Sequence, residues 1–94
     1  MKGREVMLKG KTKSGFEFEI DEKVADDMEL LEAIAEAEQE TYKFPQVLTK
    51  VLGEEQKKRL YDHLRTKKGN VPIEKAMHAF VEIMNTAGEQ TKNS

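Results

Sequence analysis

The sequence contains no cysteine. That excludes a disulfide scaffold, a thiolate zinc site and a cysteine nucleophile, and it suits a reducing compartment. Serine is nearly missing too. Ser14 lies in a polar turn and Ser94 is the final residue, so no Ser/His/Asp set is expected. No apolar run approaches the roughly 18 residues of a membrane span. The opening MKGREVMLKGKTKSG lacks the apolar core of a secretory signal. A cytoplasmic protein with no membrane contact is expected. Neither GxGxxG nor GxxxxGK followed by Ser or Thr occurs, so the glycines read as punctuation rather than a phosphate cradle. His63 and His78 are the only histidines. They fall on different predicted helices with no carboxylate at ligand spacing beside both, and neither a metal nor a cofactor is expected. Asp26 and Asp27 are helix neighbours pointing about 100° apart, too divergent to share a site. An enzyme is not expected.

What is present is charge, unevenly spread. The 94 residues, 37% hydrophobic and 36% charged, make one domain with a small core and a well-solvated surface. The net charge is −2, yet residues 17–40 hold eleven acids against Lys23 alone. Residues 41–70 hold eight basic residues against three acidic ones. Such an acidic block is either the solvated face of an amphipathic helix or an attractor for a basic partner.

The stretch FPQVLTKVLGEEQKKRLYDHL, residues 44–64, organises the reading. Phe44, Val47, Leu48, Val51 and Leu52 follow the spacing of one helix face. Gly53 interrupts that face, and a second periodic run follows with Leu60, Tyr61 and Leu64. Two helices joined at Gly53 are predicted, over 45–52 and 54–66. Upstream, Phe16, Phe18 and Ile20 alternate with Glu17 and Glu19, which predicts a β-hairpin over 4–20 with Val6 and Leu8 on the partner strand. A lone hairpin is marginal in water, so its apolar face must lie on the helices. Its outer edges are candidates for accepting a strand from another chain. Asp21 is placed to cap a helix over 22–39, with Val24, Met28, Leu31, Ile34 and Ala35 inward, widened by Leu30. Pro72 opens a last helix over 72–87, with Ile73, Met77, Phe80, Val81 and Met84 inward and Gly88 as its stop. Residues 89–94 read as a flexible tail. The expected fold is α+β, mainly α: an N-terminal hairpin followed by about four packed helices. Phe18, Leu31, Val47, Leu48, Val51, Leu60, Leu64 and Phe80 are its expected core.

Lys57, Lys58, Arg59, Arg65, Lys67 and Lys68 form a basic strip on and after the third helix, and Gly53 is placed like the turn of a helix-turn-helix. Against nucleic acid stand the net acidic charge and the Glu54-Glu55 start of the would-be recognition helix. A small prophage regulatory or DNA-binding module is the alternative reading. Met28, Met77 and Met84 serve either the core or an adaptable docking groove.

Three pieces in order, Asp26-Asp27-Met28-Glu29-Leu30-Leu31, then Val51-Leu52-Gly53-Glu54-Glu55-Gln56, then Val71-Pro72-Ile73-Glu74, resemble small tail assembly chaperones of long-tailed bacteriophages and prophages. The resemblance runs from about Phe16 to Ser94. It implies a non-enzymatic assembly factor that binds the tape measure protein, keeps its helices from aggregating and helps recruit tail tube subunits. Met28, Leu31, Val47, Val51, Met77 and Met84 are the candidate partner-binding residues, and homo-oligomers are expected. The resemblance also implies a longer form made by ribosomal frameshift near the end of the reading frame. Thr91-Lys92-Asn93 permits, but does not require, the slippery codons A-AAA-AAC.

Overall fold

Alternation in the first strands produces a two-layer arrangement. The computed structural model describes residues 6–92, so Arg4 and Glu5 of the expected hairpin and the last two residues of the expected tail lie outside it. Strands β1 (Met7–Lys11) and β2 (Glu17–Asp21) pair antiparallel, with Leu8 opposite Ile20 and Gly10 opposite Phe18. A period of two puts Leu8, Phe16, Phe18 and Ile20 on one buried face, and Lys9, Lys11, Glu17 and Glu19 on the other. Thr12 is the one buried polar residue of that layer among the described residues. Its hydroxyl accepts from the Phe16 amide at 3.1 Å and bonds the Ser14 hydroxyl at 3.1 Å. The apolar face rests on two helices, α3 (Phe44–Leu64) beneath β2 and α4 (Ile73–Lys92) beneath β1.

The helix expected over 22–39 is two helices. Helix α1 (Glu22–Ala25) is capped by Asp21, whose carboxylate accepts from the Lys23 amide at 2.9 Å. Helix α2 (Met28–Gln39) is capped separately by Asp27, which accepts from the Glu29 amide at 3.1 Å. Aspartate is a poor interior helix former and a strong N-cap, so the Asp26-Asp27 pair ends one helix and starts another. The break resets the register. Leu30 and Ala37 are buried with Ala33 and Ile34 beside them, whereas the expected core residue Leu31 is 57% exposed.

A 3₁₀ turn at Thr41–Lys43 leads into α3. Gly53 lies inside α3 at φ 81°, ψ 165°, a conformation essentially confined to glycine, and it divides the helix into two arms as expected. Phe44, Val47, Leu48, Val51 and Leu52 of the first arm and Leu60 of the second are all buried, while Leu64 is half-buried. The second arm stops at Leu64, two residues short of the expected end.

Helix α4 continues past Gly88 to Lys92, overturning both the expected stop and the flexible start of the tail. Two contacts hold this last stretch. Ala87 is fully buried, and the Gln90 side-chain amide donates to the Lys9 carbonyl of β1. Packing outweighs the modest helix penalty of one glycine, about 1 kcal/mol. The inward line of α4 is Ala76, Phe80, Ile83 and Ala87, so the expected Ile73 and Val81 face outward. Phe80 meets Phe44 edge to face at 5.6 Å between ring centroids, joining α4 to the start of α3.

At Gly10 the sheet lies close against α4. A Cβ there would lie 2.6 Å from Phe18 Cζ and 2.9 Å from Thr86 Cγ2. Gly10→Ala is expected to destabilise the protein by about 1–3 kcal/mol through crowding. Urea unfolding checks this, and a loss below about 0.5 kcal/mol would show that the Phe18 ring yields freely.

Candidate docking surface

The six candidate partner-binding residues separate into three groups. Val47 and Val51 are 1% and 5% exposed, in the core beside Leu48 and Leu52, and they have no surface to offer in the folded state. Their stripe reads the same whether it binds a partner or the fold itself, and here the hairpin and helices cover it. Met77 and Met84 are half-buried and pack against the core edge. Met28 and Leu31 are open, at 68% and 57% exposure. Five large apolar side chains that were not candidates join them on the surface: Val6, Met7, Tyr42, Ile73 and Val81. Ile73, Met77, Val81 and Met84 follow helical spacing along one flank of α4.

The open residues of α2 stand among carboxylates. Glu29, Glu32, Glu36 and Glu38 are exposed, and no Lys or Arg occurs between Lys23 and Lys43. Lys43 reaches back from the 3₁₀ turn to Glu40 at 2.7 Å and Glu36 at 3.7 Å. Its hydrogen bond and charge hold the Glu40 carboxyl below the usual carboxylate range and raise Lys43 above the usual lysine value. Because the Glu40 value is lowered by folding, the tether is in place at neutral pH and is lost as pH falls through that lowered value. The tether lies at the solvent surface, where such pairs contribute little to stability.

Side chains of α3 and α4 bond part of each sheet edge. Gln56, in the first turn of the second α3 arm, places its side-chain amide against β2 as a short strand would. Its Oε1 accepts from the Glu19 amide at 2.8 Å, and its Nε2 donates to the Glu19 carbonyl at 2.8 Å. The same Nε2 donates to the Leu52 carbonyl at 2.8 Å. Arg59 adds a bond to the Glu17 carbonyl at 3.4 Å, and Gln90 serves the opposite edge at Lys9. These side chains take four of the backbone groups that an added strand would use, three on β2 and one on β1.

An open groove of about 1130 Å³ lies between α4, the end of α3 and the hairpin turn. It contains both histidines. The Ser14 hydroxyl lies 2.9 Å from His63 Nε2, and the Lys13 amide donates to Glu82 at 2.6 Å. Sequence reasoning missed the Ser14–His63 meeting, since the residues are 49 apart and only the fold joins them. His63 also lies against the Phe16 ring, with 5.7 Å between centroids. Among the described residues no carboxylate bonds its other nitrogen, and no cluster of three metal-ligating residues occurs. The contacts at this end fasten the turn to α3 and α4. Two turns border the groove with one hydrogen-bonding pattern: Thr12 to Phe16 and Thr66 to Asn70, both Thr-Lys-X-Gly.

The basic strip is partly folded onto the protein. Lys57 donates to the Thr49 hydroxyl at 2.7 Å, Arg59 lies 5.2 Å from the Phe16 ring centroid, and Arg65 bonds Asp62 and the Gly69 carbonyl. Lys58, Lys67 and Lys68 are exposed. Among the described residues no helix is long and apolar enough to cross a membrane. No protein-family model matches the chain, and comparison with curated proteins and with solved structures gives no match either.

Gln56→Leu keeps the side chain's bulk and removes its amide. It is expected to lower stability by about 0.5–1.5 kcal/mol and to speed hydrogen exchange at the Glu19 amide. Unchanged exchange at Glu19 would mean that Gln56 does not guard the edge.

Proposed function

We propose that this chain is a phage or prophage tail assembly chaperone, acting in the bacterial host cytoplasm without catalysis. Its client is the tape measure protein, and it aids assembly of tail tube subunits around that client. The observation that carries the reading is the exposure of large apolar side chains on the outer faces of helices whose inner faces are already packed. Met28 and Leu31 on α2, and Ile73 and Val81 on α4, are each more than half exposed. A single small core does not use them. A holdase for amphipathic helices needs such strips, rimmed by polar groups, to cover apolar client segments. Several copies along one long client would add avidity without new contacts. The ordered motifs around Asp26, Gly53 and Pro72 support the same reading.

Co-expression tests it. The tape measure protein, the very long helix-rich product expected just downstream in the same gene cluster, should remain in the soluble fraction with this chain and pellet without it. Equal aggregation in both cases, or no such reading frame beside this one, would overturn the proposal.

A further inference from the structure

Helix α2 carries its charge in an unusual place. The backbone dipole favours acids in the first turn and bases in the last. Asp27 and Glu29 obey this rule at the N-terminal end, but Glu36, Glu38 and Glu40 crowd the C-terminal end, whose last turn has no basic residue. Lys43 offsets Glu36 and Glu40 alone. Glu32 and Glu38 are exposed and take part in no ion pair among the described residues. Between these carboxylates, Met28, Leu31 and Ala35 follow helical spacing on the side turned away from Leu30, Ala33, Ile34 and Ala37. The line is about 10 Å long at about 1.5 Å per residue, two turns of an approaching helix.

We propose that the outer face of α2 docks a basic amphipathic helix from another protein, with the partner's apolar residues on Met28, Leu31 and Ala35 and its Lys or Arg residues beside the unpaired Glu32 and Glu38. The inference rests on the reading of this chain as a helix-binding chaperone and names the chemistry of its client segment. Apolar contact supplies the anchor. Uncompensated carboxylates supply the selection, repelling acidic helices and nucleic acid while attracting a basic face. A second copy of this chain fits poorly. The outward residues of its basic arm are Glu54, Glu55, Lys58, Arg59, Asp62 and His63, with no apolar line among them. The outward apolar line of α4 is flanked by Glu74, His78 and Asn85, with no Lys or Arg beside it among the described side chains.

The test titrates three synthetic peptides onto the full chain labelled with ¹⁵N: an amphipathic leucine–lysine helix, its leucine–glutamate counterpart, and unpatterned oligolysine. The leucine–lysine helix is expected to shift amide resonances of residues 28–38, with affinity falling roughly tenfold or more at high salt as the charges are screened. The other two should bind at least tenfold more weakly. Leu31→Gln and the pair Glu32→Gln with Glu38→Gln should each weaken the leucine–lysine helix severalfold while leaving the circular dichroism spectrum and Tm unchanged. Equal binding by oligolysine, shifts centred on residues 73–84, or indifference to Leu31→Gln would each overturn the inference. So would concentration-dependent self-association that Leu31→Gln abolishes, since the face would then belong to a second copy. The chaperone reading fails separately. A tape measure protein kept soluble by the Leu31→Gln variant refutes this docking face but leaves the chaperone role standing. A leucine–lysine helix bound at α2, with no effect on the tape measure protein, does the reverse.

Discussion

Val51 and Leu60 are nine residues apart, about two and a half turns at about 3.6 residues per turn. In a straight helix they would point in opposite directions. Both are buried, so the helix cannot be straight, and the bend falls at Gly53. There the backbone takes a conformation that only glycine adopts cheaply. The bend turns the second arm until Leu60 joins the core beside the first arm's stripe. It also brings Gln56 to β2, where one side-chain amide serves both the Glu19 peptide and the Leu52 carbonyl. The hairpin, too small to stand alone, gains a floor from α3 and α4 and a guard on its edge from the same bend. The phase mismatch within α3 is therefore what the rest of the fold accommodates.

With the sheet covered by α3 and α4, α2 is left to pack one face only. The second aspartate cap fixes which face. Leu30 goes inward and its neighbour Leu31 goes outward, since adjacent helix positions diverge by about 100°. The outward side combines Met28, Leu31 and Ala35 with glutamates that the helix dipole disfavours near its C-terminal end. Neither feature helps this chain fold. Together they suit a partner whose apolar and basic groups alternate along one helix, and they give the proposed chaperone role a physical basis.

Much of the architecture was legible in the residues. Alternation at Phe16, Phe18 and Ile20 announced the hairpin, and the two stripes around Gly53 announced the bend. Val47, Leu48, Val51, Leu60 and Phe80 were correctly placed in the core. The misplaced faces have a feature in common. In α2 and α4 two apolar lines compete, and weighting by side-chain size favours the wrong one. Ile73, Met77, Val81 and Met84 look more hydrophobic than Ala76, Phe80, Ile83 and Ala87, yet the second line is buried. In α4 the small Ala76 and Ala87 are buried, and Thr86 against Gly10 marks how closely this helix approaches the sheet. The sequence sign that would have corrected α2 is the Asp26-Asp27 pair, readable as a C-terminus followed by a fresh N-cap. The Gln56 guard and the Ser14–His63 contact carry no local sign, because each depends on the fold joining distant segments.

Adjacent leucines on α2 allow the most direct test of the account, which holds that this helix packs one face and leaves the other available. Equilibrium urea unfolding of two variants is the measurement. Leu30→Ala should cost about 2–5 kcal/mol because it empties a packed site. Leu31→Ala should cost less than about 0.5 kcal/mol because that side chain is already in water. Equal losses, or a larger loss at Leu31, would contradict it.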